Sequence, residues 1–154
     1  MKTRNIVMTL VTCLIGLTLC FADNANMGSW KLNESKSKLS AGMPKHTMVV
    51  YQAAGDRVKV TVDGVDAQGQ PTHNEWTGKF DGKDYPLTGD PSADSRAYRQ
   101  INDHTLELTN KKGGKVTTSG KIVVSADGKA RTVTVKGTDP SGKKVSMTTV
   151  YDKQ

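Results

Sequence analysis

The sequence predicts an all-β fold, an antiparallel up-and-down barrel of about eight to ten strands. Three observations predict it. From Met48 onward apolar and polar residues alternate in short runs, the two-residue period of a strand with one buried face. Each run closes on a cluster of Gly, Asn, Asp or Pro, residues that supply the positive φ angles and local hydrogen bonds of tight turns. Nearly every connection after residue 47 is short, so consecutive strands are expected to be neighbours. Closing such a meander into a barrel hides one face and leaves no open edge. A two-sheet sandwich would also bury ten amphipathic strands, but it commonly uses longer Greek-key crossings.

The chain of 154 residues opens with the three parts of a secretory signal. Lys2 and Arg4 form its positive region, Ile6 to Phe21 its apolar stretch, and Ala22 precedes the polar Asp23. The apolar stretch is interrupted by Thr9, Thr12, Gly16 and Thr18 and falls short of the ~20 residues that span a bilayer. Residues 1–22 are therefore expected to be cleaved, and residues 23–154 to form one exported barrel domain, periplasmic or secreted, with no membrane span. Cys13 and Cys20 both lie in the signal, which removes disulfides and thiol chemistry from the mature chain. Leu19 stands where an acylation box needs a small residue before the cysteine, so lipoprotein anchoring at Cys20 is not expected.

Removing Lys2 and Arg4 lowers the formal net charge from +7 to +5. The remaining cations, among them Lys36, Lys38, Lys79, Lys111, Lys121 and Lys144, are scattered over turns and strand faces. That pattern reads as a solvated surface, with a weak attraction to anionic envelope polymers or lipid head groups as the sharper reading. No nucleic-acid-binding motif is present, and no nucleic-acid partner is expected.

The alternation places strands near 28–33, 47–54, 57–64, 71–80, 83–88, 95–101, 104–110, 115–125, 129–138 and 143–151. Arg57 to Val62 shows it best, with Val58, Val60 and Val62 on one face and polar residues on the other. Between the strands stand Gly55-Asp56, Asp66 to Gln70, Asp81-Gly82, Gly89 to Asp94, Asn102-Asp103, Gly113-Gly114, Ala126 to Gly128 and Asp139 to Gly142. Only residues 33–46 break the rhythm; rich in Lys and Ser, they fit a loop or one short helical turn.

Gly28-Ser29-Trp30 on the first mature strand matches the Gly-x-Trp signature of the lipocalin and fatty-acid-binding (calycin) superfamily. The stretch from Gly28 to Ser35 resembles the opening strand of intracellular fatty-acid-binding proteins, and Met147 to Lys153 resembles their last. In that family the last strand carries Arg-x-Tyr, which grips the fatty-acid carboxylate; this chain keeps Tyr151 but has Thr149 where the arginine would stand. The pair of lid helices has no counterpart in residues 33–46. Trp30, Asn33, Lys36 and Ser37 resemble more faintly the opening of periplasmic polyisoprenoid-binding proteins. Taken whole, the chain resembles small secreted bacterial lipocalin-like proteins of no assigned activity. The resemblance implies a closed barrel, with Gly28 and Trp30 as structural residues at its closed end.

Chemistry-bearing constellations are sparse. His46, His73 and His104 fall on three elements without His-x-His or His-x-x-x-His spacing, so no metal is expected. His73 lies on the strand face opposite Trp76 and Phe80 and is expected to meet solvent. Most acids sit at turns, and Glu75 and Glu107 face away from the large apolar residues of their strands, which does not support a buried catalytic carboxylate pair. No catalytic residue and no cofactor are expected, and the chain is not read as an enzyme.

What remains is the inward face. Trp76, Phe80, Arg99, Arg131, Met147 and Tyr151 are the candidate residues around a bound molecule. Parity puts Tyr98 and Arg99 on opposite faces, so only one of these two can point inward. Only two Trp and two Phe in the whole chain suggest modest filling of the barrel. The expected function is non-catalytic binding of a small apolar or amphipathic, lipid-like ligand inside a monomeric barrel. The alternative is an envelope structural or interaction module with a solidly packed barrel and a basic outer surface.

Overall fold

The computed structural model describes residues 24–138 and 142–154. The expected signal peptide, residues 1–22, lies outside them, as does most of the 139–142 turn. Ten strands follow one another: β1 Gly28–Lys38, β2 Lys45–Ala54, β3 Arg57–Val65, β4 Pro71–Gly78, β5 Tyr85–Thr88, β6 Ser95–Asn102, β7 Thr105–Lys112, β8 Lys115–Val124, β9 Ala130–Thr138 and β10 Lys144–Lys153. Each pairs antiparallel with its sequence neighbours, and β1 pairs with β10 to close the barrel. This is the all-β up-and-down barrel the alternation predicts, and it fits a lipocalin- or fatty-acid-binding-protein-like barrel. Among the described residues no helix is long and apolar enough to cross a membrane.

Of the stretches where the ladder is irregular, two depart from the strands that periodicity predicts. Sequence reading stops the first strand at residue 33, whereas β1 runs on to Lys38. Asn33 is opposite Val150 and Lys38 opposite Thr148, so the four residues between them on β1 face only Thr149 on β10, and three extra residues bulge out of β1. Ser37 mends the gap: its hydroxyl oxygen accepts a hydrogen bond from the Val150 N–H at 2.9 Å and its O–H donates to the Asn33 carbonyl at 2.7 Å. A bulge bends a strand and increases its twist; this one lies beyond Lys31, the last β1 residue paired with β2, and pairing with β10 resumes at Lys38. A short loop at 39–44, not a helical turn, leads into β2.

The second irregularity lies between β4 and β6. The expected strand 71–80 stops at Gly78, and the expected strand 83–88 shrinks to the four residues of β5. Segment 80–82 pairs instead with β6: Gly82 N–H donates to Tyr98 O at 2.8 Å, and Gln100 N–H to Phe80 O at 3.0 Å. Asp81 makes the turn, accepting from Lys83 N–H at 3.0 Å and from the Tyr85 hydroxyl at 3.0 Å. A turn built by one carboxylate is invisible to periodicity. Tight coiling elsewhere needs a missing side chain: a Cβ at Gly120 would stand 2.2 Å from Thr134 O.

Inward rows of β2 to β10 meet in one core that includes Tyr51, Val58, Val60, Trp76, Tyr98, Leu106, Ile122 and Tyr151. One end of the barrel is shut. Residues 24–27 fold across it, with Ala25 N–H donating to Asp103 O at 3.2 Å. Trp30 is fully buried there and donates its indole N–H to Asn26 O at 2.8 Å. Gly28, with φ +105°, lets the chain turn into β1 beside the Lys153 side chain. Both residues stand at the closed end.

Candidate functional site

A cavity of about 180 Å³ occupies the barrel interior. At its upper end it meets the loops 39–44, 66–70 and 89–94 through Met43, Pro44, Asp66 and Asp90. Its walls are the inward residues Val49, Val62, Leu108, Ile122, Val133, Val135 and Met147. Its floor is made of Tyr51, Tyr151 and Arg131. The sheet geometry explains the mixture: every second residue of each strand must face inward, and small residues at Thr118 and Thr149 leave room between the aliphatic ones.

Polar groups inside this wall are specific. The buried polar or charged side chains among the described residues are Asn26, Asn74, Arg96, Asn110, Arg131 and Thr149: two cations and no acid. Arg96 donates from Nε to Asn110 Oδ1 at 2.8 Å and from Nη1 to the Tyr98 hydroxyl at 3.4 Å. The Tyr51 hydroxyl in turn donates to that of Tyr98 at 3.5 Å. Arg131 is held differently. Its guanidinium carbon lies 4.9 Å from the Tyr151 ring centroid, 5.1 Å from that of Tyr51 and 5.5 Å from that of Trp30. Its Nε and Nη1 are buried without a hydrogen-bond partner, as is Asn74 Oδ1.

The interior is therefore electropositive, and the titratable groups register it. Burial first, and then the Arg96 guanidinium, pushes the His46 imidazole down to about 4 from its ordinary 6.5. Asp90 opposes the shift and Arg131 adds to it. Burial also raises the Tyr51 and Tyr151 phenols above their ordinary range, and the nearby Tyr98 adds to this at Tyr51. Both hydroxyls stay protonated at physiological pH, the one of Tyr51 as the donor to Tyr98.

The structure divides the sequence candidates. Arg131, Met147 and Tyr151 line the cavity. Trp76 is buried but does not: its indole N–H donates to Arg96 O at 2.8 Å, and its ring stacks on Phe80 at 6.4 Å. Phe80 packs with Trp76, Tyr51 and Tyr98 as support for the floor. Arg99 is a correction. It lies on the outer face, exposed, with its guanidinium on Glu107, because β6 turns Arg96 and Tyr98 inward and parity then sends Arg99 out. Sequence reading missed Arg96 as an interior cation, and the signal available was its even spacing from Tyr98. It also missed Asn74 and Asn110, because a polar residue at an inward parity reads as an interruption of the pattern. His73 is exposed as expected, with its Nδ1 2.6 Å from Asp63. Among the described residues no group of three or more His, Cys, Asp or Glu side chains is placed to hold a metal ion.

The chain matches no protein-family model and no curated protein. Two similar solved structures are EF1p2_mFAP2b bound to DFHBI and a redesigned beta barrel, mFAP1, also bound to DFHBI. The first has a TM-score of 0.47 and 12% identity, covering 84% of this chain and 94% of that one. The second has a TM-score of 0.45 and 16% identity, covering 85% of this chain and 99% of that one. Likeness of this degree carries no argument about a ligand.

Proposed function

We propose that this protein is exported and that its barrel binds, without catalysis, one small apolar or amphipathic molecule in the interior cavity. The observation that carries the reading is the cavity itself: apolar walls around a few convergent polar groups, two of which have no partner within the protein. Ligand sites have this composition, and a void meant only for packing would be filled or dry and apolar. A solidly packed envelope module would have no reason to keep a buried guanidinium with unused donors. Export rests on the signal-like segment 1–22.

Native mass spectrometry of protein purified from its own host, with no ligand added, tests both parts. The polypeptide mass is expected to correspond to a chain starting at Asp23, with a reproducible small-molecule adduct that survives buffer exchange. Retention of Met1 in the mature material overturns export. A preparation free of any adduct, together with no uptake of small amphiphiles, overturns binding.

A further inference from the structure

We propose that the outer face of β8, β9 and β10 docks a linear acidic polysaccharide along a diagonal row of three lysines, Lys121, Lys136 and Lys144. The face lies outside the barrel, so the inference stands apart from whatever the cavity holds.

Strand register draws the row. Ile122, Val135 and Met147 line the cavity, and parity sends the three lysines to the opposite face, where all are exposed. Lys121 is opposite Thr134 on β9, two residues before Lys136, and Lys144 is opposite Thr138, two residues after it. Each step therefore crosses one strand and advances two residues, a diagonal of roughly 7–8 Å. Read along the chain these cations are scattered; the ladders align them.

Their charge is left uncompensated. Among the described residues no ion pair uses a side chain of β8 or β9, and β10 contributes only Asp152 near its end. From Lys115 to Tyr151 the sequence has only two acids, Asp127 and Asp139, and neither falls within the bounds of β8, β9 or β10. Lys136 stands between Ser119 and Ser146 in the ladders, hydroxyls where a paired sheet would place carboxylates. Glu107 is opposite Lys121 on β7 but is bonded to Arg99. A shallow hollow in the outer surface joins Lys121 to Lys136, with the hydroxyl residues Thr109, Thr132 and Thr134 along it.

The chemistry of the face selects its occupant. Ammonium groups in line complement a chain of repeated negative charge, and the hydroxyls between them can donate to and accept from sugar hydroxyls. Arg131, the one arginine of these strands, points into the barrel, so the face has no fork for phosphates. Tyr151, their one aromatic, is buried, which leaves no ring for nucleic-acid bases to stack on. Apolar side chains on the face are valines such as Val123, without the Trp, Phe or Leu that seats a surface in a bilayer.

Polygalacturonate is the probe, and its fully methyl-esterified form, with the same backbone and no charge, is the comparator; both are followed by biolayer interferometry. Affinity for polygalacturonate is expected to fall between ~20 mM and ~150 mM salt, as exposed charges are screened, and the ester is expected not to bind. The triple variant Lys121→Gln, Lys136→Gln, Lys144→Gln is expected to bind about tenfold more weakly or worse. A second triple variant, Lys31→Gln, Lys83→Gln, Lys129→Gln, removes as much exposed charge from other places and is expected to lose less than about twofold. In the wild type, the backbone amide resonances of Lys121, Lys136 and Lys144 should move together on titration with polygalacturonate, a readout that needs no variant to fold. Equal losses in the two triple variants, equal binding of the ester, or amide shifts confined to other faces overturns the row. Tighter binding to phosphatidylglycerol vesicles or to a single-stranded oligonucleotide than to polygalacturonate overturns the polysaccharide as occupant.

Discussion

Trp30 illustrates how one residue can be decisive without touching a ligand. It is absent from the cavity wall, fully buried at the shut end, and committed through its indole N–H to Asn26 O at 2.8 Å. Its ring also carries the side chains of Arg131 and Lys153 on its faces, at 5.5 and 5.2 Å. Truncating a buried aromatic costs ~3–5 kcal/mol, a large share of the ~5–15 kcal/mol that holds a domain together. Trp30→Ala is therefore expected to lower the denaturation midpoint severely, and any fraction that stays folded is expected to retain ligand. Urea titration of wild type and variant measures the first, and adduct mass the second. A variant as stable as wild type but empty would reverse the assignment.

At the scale of elements, the seam between β1 and β10 is where the barrel is most dependent on a single side chain. The bulge in β1 removes ladder partners from β10, and Ser37 supplies a substitute to the Val150 N–H at 2.9 Å. Loss of that hydroxyl leaves a partly buried amide unpaired, which costs about 1–3 kcal/mol. Ser37→Ala should destabilise the fold by that amount. It should also speed hydrogen exchange at Val150 far more than at the β2–β3 or β9–β10 ladders. Uniform acceleration across all ladders would mean that the seam is not a separate weak point. The β4–β6 region behaves differently, because segment 80–82 bypasses the short β5 and ties β6 directly.

The whole molecule encloses positive charge, and its stability should reflect this as pH changes. His46 titrates near 6.5 when unfolded and at about 4 in the fold. Between these values the unfolded chain binds the extra proton, so folding free energy is full above about 6.5 and is lost as pH falls toward about 4. A shift of this size is worth about 1–3 kcal/mol; the upper figure takes ~1.4 kcal/mol per pH unit, and the half-buried position of the ring favours the lower. His73 works in the opposite direction. Its hydrogen bond with Asp63 raises its pKa, so its contribution is present at low pH and lost as pH rises, but it is fully exposed and weak. The acids Asp56, Glu75, Asp81 and Asp127 are held below their ordinary carboxylate values, mainly by hydrogen bonds from Lys79, Lys59, the Lys83 amide and Ser125, so their contributions are present at neutral pH and lost in acid as pH falls through the lowered values. Chemical denaturation at pH 7 and pH 4.5 should show a drop in wild type that is clearly smaller in His46→Gln. An equal drop in both would remove His46 as its source.

Alternation and turn residues determined the architecture by themselves, because a strand with one buried face must repeat every two residues and a tight turn must place Gly, Asn or Asp where φ is positive or a side chain caps the chain. Val58, Val60 and Val62 on one face, and Gly55-Asp56 between two strands, needed no tertiary knowledge. The end of β1 and the length of β5 did, since both depend on hydrogen bonds to distant residues: Ser37 to Val150, and Gly82 to Tyr98. The site was half legible. Arg131, Met147 and Tyr151 could be named from parity, but parity alone could not choose between Tyr98 and Arg99, nor separate the buried, supporting Trp76 from residues that line a cavity. Those distinctions depend on how far each side chain reaches across a closed barrel and on which neighbours already satisfy it, quantities that exist only once ten strands have been brought together.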